Sequence, residues 1–353
     1  MNRLKIKYDN IDVFQAGFPD FSSNFTRDSI ISAIIMQDSE MLKNQLLLSA
    51  KKQGTKKNSF SGEEPGKIFH EYPGVILDGL NTEYNACDTT SLFLIGHKFY
   101  QKFSGDKTLA EIQKENINNA VNYILVHLDS NYLFYEDPKF CGAERFALKV
   151  TYWKDSEILG REKGQPKYPI IYTLAHIQSL VAIRAASEIL QSKNLFEVAQ
   201  KMKEALQKLY DKDSKSFYIA IDKQGLIKGI SSDSLHSLFY LELGDLTKSQ
   251  IKEIETSSLS LETDIGFRTL SPQFKIKDRY HSQTVWPFEQ AMIHIGAKKF
   301  GLEKIQHISS RITKLLDTEP EYFLIENNGF KKAGCDPQLW TIATKKYFSS
   351  LDL

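Results

Sequence analysis

The sequence predicts an all-α fold closed into an (α/α)6 toroid, with minor short β-strands confined to loops. Three observations predict it. Helical periodicity recurs along the whole chain as consecutive pairs joined by short turns. The pairs show no fixed repeat period, whereas stacked solenoids repeat at about 34–47 residues with visible self-similarity. Alternate connections are long, irregular and rich in aromatic residues, the asymmetry expected of a ring with one functional rim.

Each element follows from local signals. Residues 27–37 place apolar side chains at helical spacing, and Asp38-Ser39 supply an N-cap for a second helix to about Lys52. Residues 53–86, rich in Gly, Pro, Ser and Asn, read as a long ordered loop, a length usually kept for function. Helices over 87–103 and 107–128 flank the turn signal SGDK. Further pairs follow at 169–190 and 195–211, at 233–242 and 247–256, and at 284–299 and 302–316, before a last helix over about 337–350. That makes about eleven helices. Strand signals are weak and local, at 133–136 and 216–220. A chain of 353 residues is by default two domains. A closed ring can keep extending one core, so a single catalytic domain over 1–353 is expected.

Bulk composition excludes several classes. The 45 basic and 44 acidic residues nearly cancel, unlike the basic excess of a nucleic-acid-binding surface. Lysine clusters such as Lys51-Lys52 and Lys56-Lys57 read as solvated turns. Three cysteines, Cys87, Cys141 and Cys335, stand far apart without CxxC or Cys/His ligand spacing, so neither metal nor cofactor is expected. A reducing compartment fits them best. The N-terminal residues lack an apolar signal region, and no run of about 18 apolar residues occurs, so a cytoplasmic location without a membrane partner is expected.

Five loop segments gather polar and aromatic residues that neither periodicity nor turn chemistry requires. Sugars present hydroxyls around an apolar ring face, so their sites combine Asp, Asn, Arg and His with Trp or Tyr. The first segment, from Phe21 to Asp28, ends in an Arg27-Asp28 pair that helix-dipole pairing alone can explain. The second runs from His70 to Tyr72 and on from Asn81 to Asp88, where Asp88 also suits a helix N-cap. In the third, Thr151 to Glu157, Asp155 lies beside Trp153. Burial against an aromatic wall raises a carboxyl pKa as a general acid needs. A tryptophan anchoring a turn capped by Asp155 is the plain structural account. The fourth joins Gly266–Ser271 to Tyr280, His281 and the Trp286-Pro287 pair. The fifth holds Glu321, Glu326, Asn328 and the stretch Gly334–Thr341, with room for a second catalytic carboxylate before the last helix.

The segments FTRDS, YNACDTTSLFL, TYWKDS, GFRTLS followed by YHSQTVWP, and PE followed by GCDPQLWT resemble those of the amylo-α-1,6-glucosidase, or glycogen-debranching, group. Glucoamylase-like and mannosylglycerate-hydrolase-like enzymes of the six-hairpin type are its relatives. The motif order matches from about residue 14 to 345, and YHxxxVWP after GxRTLS is its most specific part. The resemblance implies an inverting hydrolase of an α-glycosidic bond, with an oligosaccharide or small glycoside as its partner. By position it implies Asp155 as general acid and Glu321 as general base, with Glu326 as the rival base. It further implies that Arg27, Asp28 and Asp88 bind sugar hydroxyls. Trp153, His281 and Trp286 would wall the same subsite, with Tyr280 in support. Three departures point away from branched glycogen. Gln165–Tyr172 has no acid where the group carries a substrate-contacting Glu, Phe25 replaces a tryptophan, and no β-sandwich precedes the motifs.

Two rival readings stay open. The same toroid also suits a glycoside phosphorylase or a sugar epimerase, the latter leaning on His70, His176, His236 or His281. A non-catalytic carbohydrate-binding protein is the third.

Overall fold

The computed structural model describes residues 1–156, 167–273, 279–327 and 329–351. The expectations placed on Glu157, Gln165, Pro166 and Asn328 fall outside them. Twelve helices follow in order: α1 (Thr26–Met36), α2 (Ser39–Lys51), α3 (Thr89–Ser104), α4 (Thr108–Ile112), α5 (Lys114–Val126), α6 (Thr173–Ile189), α7 (Lys193–Leu206), α8 (Asp233–Tyr240), α9 (Lys248–Ser258), α10 (Pro287–Phe300), α11 (Glu303–Ser310) and α12 (Leu339–Ser349).

Six of these form a closed inner ring. Helix α1 packs on α3, α3 on α6, α6 on α8, α8 on α10, α10 on α12, and α12 returns to α1. Their sequences explain the placement. All residues from Thr26 to Ile35 in α1 and from Thr173 to Ser187 in α6 are buried, the mark of helices covered on every side. Small residues permit close approach. Ser91 Oγ and Ser179 Oγ meet at 2.9 Å between α3 and α6, and Gly296 of α10 lies against the backbone of α8. Helices α2, α5, α7, α9 and α11 pack outside the ring, each burying one face. Helix α7, for example, buries only Leu195, Ala199, Met202, Ala205 and Leu206. The chain is therefore an (α/α)6 toroid. One apolar cluster runs around it from Leu4 to Phe348.

Element boundaries differ from the sequence reading where local chemistry intervenes. The helix expected over 107–128 breaks at Gln113 into α4 and α5. Helix α6 starts at Thr173 rather than Pro169, because Ile170–Tyr172 pairs as a strand with Ala220–Asp222. Helix α10 begins at Pro287, its ring at the first helical position where no N–H is needed. The fifth loop contains a hairpin, Tyr322–Glu326 paired with Gly329–Ala333, which periodicity did not reveal. Among the described residues, no helix is long and apolar enough to cross a membrane.

Candidate active site

All six inner helices present their N-termini to one rim, and the singled-out loops precede those termini. Arg27 and Asp28 stand in the first turn of α1, Asp88 is the N-cap of α3, and Trp286 that of α10. Gln338 caps the start of α12. Within this rim lies a cavity with about 370 Å³ of empty space, its open mouth included. Its lining includes Arg27, Asp28, Trp153, Asp155, Tyr280, His281, Trp286 and Glu321. Eight of the ten singled-out site residues thus meet there.

Asp88 and Glu326 are placed elsewhere. Asp88 lies behind Arg27, accepting from Nε at 2.8 Å and Nη2 at 2.9 Å. Both partners are buried, so the fork-to-carboxylate geometry fixes the guanidinium at the cavity wall. Glu326 is exposed at the end of its strand, outside the cavity lining.

Glu321 is held from two sides. Tyr280 donates its hydroxyl to Oε1, and the Cys335 N–H donates to Oε2 at 3.0 Å. Gly334, at φ +75°, allows that approach, since a Cβ there would stand 2.6 Å from Glu321 Cβ. Burial raises the Glu321 pKa from its ordinary value, and the two donors oppose the rise by favouring the carboxylate. Asp28 is buried too and receives a long contact from Gln338 Nε2, at 3.5 Å. Burial, with Glu321 and Asp155 adding repulsion against the pull of Arg27, pushes Asp28 up to about 8. Asp28 therefore keeps its proton at neutral pH.

The walls are aromatic. The His281 ring stacks on Trp286 at 5.0 Å, and Trp153 meets both rings edge-on. His281 Nδ1 lies 2.7 Å from Ser156 Oγ and 3.8 Å from Asp155 Oδ1. Burial and the charges of Lys154 and Arg27 hold His281 well below 6.5, so it is neutral. His70 also lines the cavity and is held low by burial. The other two histidines are elsewhere. His176 is bonded through both nitrogens to backbone groups of Phe134 and Met202. His236 lies behind Trp153.

Sequence reasoning named His70 within the second segment and as a candidate histidine, but passed over Gln338 as a cavity group, and Lys154 and Asp233 as support. Gln338 was visible within the GCDPQLW motif, but nothing in that motif says which side chain turns inward. Among the described residues, one trio could offer three metal ligands: Asp233, His236 and Glu289, with ligand atoms within 4.8 Å of one another. The Lys154 ammonium already stands among them, 2.9 Å from Asp233 Oδ1 and 3.8 Å from Glu289 Oε1. A divalent ion there would face that positive charge, so the trio reads as a lysine-paired cluster.

No family model matches the chain, and no curated protein does. Solved structures do. The GH63 mannosylglycerate hydrolase of Thermus thermophilus, in complex with Tris and D-glycerate, has 10% identity and a TM-score of 0.73 over 99% of this chain and 97% of that one. The same hydrolase in complex with glucose has 13% identity and a TM-score of 0.70, covering 96% and 95%. A GH78 family rhamnosidase of Bacillus sp. GL1 has 14% identity and a TM-score of 0.63, covering 94% of this chain and 32% of that one. At these identities the likeness is one of fold, the (α/α)6 toroid.

Proposed function

We propose that the chain is a glycoside hydrolase that cleaves a terminal α-glycosidic bond with inversion, Asp155 acting as general acid and Glu321 as general base. The observation that carries this is the meeting of two carboxyls, from loops 166 residues apart in sequence (321 minus 155), at one small aromatic-walled cavity. Their environments differ, and not in the way the sequence suggests: the buried carboxyl with the raised pKa is Glu321, while Asp155 beside Trp153 is partly exposed. Glu321 accepts two hydrogen bonds, which suits a base that orients and deprotonates water. Asp155 has a side chain 32% exposed, within reach of a leaving group that needs a proton. Arg27 and the neutral carboxyl of Asp28 supply one donor group and one donor-acceptor group for sugar hydroxyls. The walls of Trp153 and Trp286 offer apolar faces for the ring's CH groups. Asp88 orients Arg27 rather than touching sugar.

A compact aromatic-walled cavity suits a short substrate, such as one sugar residue with a small aglycone. The solved relatives hold glucose, or Tris with D-glycerate, which agrees with that scale. An inverting pair must stand about 6.5–9.5 Å apart to admit water, against about 5–5.5 Å for a retaining one.

The test is a panel of α-linked gluco-, manno- and galactosides, with NMR detection of the first anomer released. A β-anomer is expected from the parent protein. Asp155→Asn and Glu321→Gln should each lower turnover by about 10²–10⁴-fold, the range for general acid–base groups. Variants as fast as the parent would remove the assignment. The same spectra would reveal a phosphorylase through strict phosphate dependence, an epimerase through an inverted carbon without a released alcohol, and a binding protein through retention without turnover.

A further inference from the structure

Residues 151–156 form an irregular segment in which neighbours face opposite ways. The side chain of Lys154 is 3% exposed, whereas that of Asp155, the next residue, is 32% exposed at the cavity. A buried lysine is costly unless its protons are all accepted and its charge is paired. Here they are. Lys154 Nζ donates to Ser231 Oγ at 2.7 Å, Ser232 Oγ at 2.8 Å and the Thr269 carbonyl at 3.2 Å, and pairs with Asp233 Oδ1 at 2.9 Å. The two residues before it end on the same carboxylate. Trp153 Nε1 donates to Asp233 Oδ1 at 2.9 Å, and the Tyr152 hydroxyl to Oδ2 at 3.3 Å. Ser232 Oγ in turn donates to Glu289 Oε1 at 2.6 Å, which brings the first turn of α10 into the network. Asp233 and Glu289 stand at the positive ends of α8 and α10, where a carboxylate is favoured.

We propose that Lys154 is a positioning residue for the reaction: it clamps the segment 151–156 to the N-termini of α8 and α10, and so fixes the Asp155 carboxyl at the cavity against His281. The inference rests on the reading of Asp155 as general acid. The physical reason is economy of freedom. The backbone that carries Asp155 is set by three consecutive side chains anchored on Asp233. Misplacing a reacting group by about 1 Å can cost on the order of 10²-fold in rate. Lys154 itself lies outside the cavity lining, so its loss should be felt most where the acid is needed.

That selectivity is measurable. Two α-glycosides of one sugar that the parent hydrolyses are compared, an alkyl glycoside whose alcohol must be protonated on leaving and a glycosyl fluoride that departs with far less help. Lys154→Met should lower kcat on the alkyl glycoside by roughly 10²-fold, leave KM nearly unchanged, and leave the fluoride within a few-fold of the parent. Lys154→Arg, which keeps the charge, should recover part of the loss. Ser231→Ala, which removes one acceptor, should show the same selectivity with a smaller loss, and it decides the matter if Lys154→Met does not fold. An equal fall on both substrates, or no fall on either, would overturn the clamp. Asp155→Asn is the reference: if it hydrolyses the alkyl glycoside like the parent, the acid assignment falls instead. A crystal structure of Lys154→Met reads the clamp without any substrate. Displacement of the Asp155 carboxyl from His281 is expected, and a carboxyl still about 4 Å from Nδ1 would overturn the inference.

Discussion

At the scale of single residues, the cavity works by giving chemically similar carboxyls different surroundings. Glu321 has two donors, and Asp28 has burial with two like charges nearby. A consequence for stability follows. An unfolded aspartate titrates near 3.9, while native Asp28 titrates at about 8. Between those values the native chain holds a proton that the unfolded chain has released, so the stability contributed below pH 4 is lost as pH rises towards 8. Asp28→Asn removes that titration. Its melting temperature relative to the parent should therefore climb steadily from pH 5 to pH 8.5, by several degrees in all, on the order of a few kcal/mol. Melting curves that stay parallel across that range would mean that Asp28 is already ionised in the folded protein at pH 5. Any constant offset, from the changed contact with Gln338, does not affect the slope.

At the scale of elements, the inner helices were legible and their edges were not. Runs such as 27–37 are apolar on nearly all faces, and only burial on every side accommodates that, so α1 and α6 could be read directly. The breaks at Gln113 and at Ile170–Tyr172 could not: the Gln113 side chain donates to the Leu46 carbonyl, and Ile170–Tyr172 pairs with Ala220–Asp222, both far along the chain. The hairpin of Tyr322–Glu326 with Gly329–Ala333 was hidden for the same reason. Its pairing with Thr284-Val285 is long-range, and its other edge strand is mostly exposed, with no alternation of buried and exposed residues. Site residues followed the same rule. Motifs named Arg27, Asp155, His281 and Trp286, yet which side chain turns inward is set by tertiary packing, and so Lys154 and Gln338 went unread. Packing between inner helices gives its own prediction. A Cβ on Gly296 would lie 2.7 Å from Phe239 N and 2.8 Å from Leu238 C, both backbone atoms of α8. Gly96 of α3 faces only the ends of side chains, the nearest being Leu46 Cδ2 at 3.1 Å. Gly296→Ala should thus cost about 1–3 kcal/mol by forcing two helices apart. Gly96→Ala should cost clearly less, since Leu46 can turn. Chemical denaturation of the two variants tests the order, and equal losses would show that α8 and α10 are not in tight backbone contact.

At the scale of the whole molecule, the ring joins its first and last helices at the place where chemistry is proposed. The Leu339 N–H donates to the Ala16 carbonyl at 2.8 Å, Phe18 N–H to Pro337 O at 3.1 Å, and Asp336 N–H to Phe18 O at 3.0 Å. Gln338 reaches Asp28 across the same seam. Helix α12 buries Leu339, Trp340, Ile342, Ala343 and Phe348 between α1 and α10. A solenoid would lose only its last repeat if α12 were removed, because each repeat touches only its neighbours. A closed ring loses its seam, which uncovers α1 and α10 together and opens the cavity on the side of Asp28. Deleting residues 337–353 should therefore abolish the cooperative melting transition and the near-UV circular dichroism while helical far-UV signal persists, with dye-binding apolar surface exposed. A truncated chain that still melts cooperatively within a few degrees of the parent would mean that the five remaining inner helices form a core without closure. Glycoside turnover cannot make this distinction, since the deletion also removes Gln338 and Trp340 from the cavity wall. The melting transition reads the seam alone, and its loss is what a closed ring with an apolar cluster shared from α1 to α12 requires.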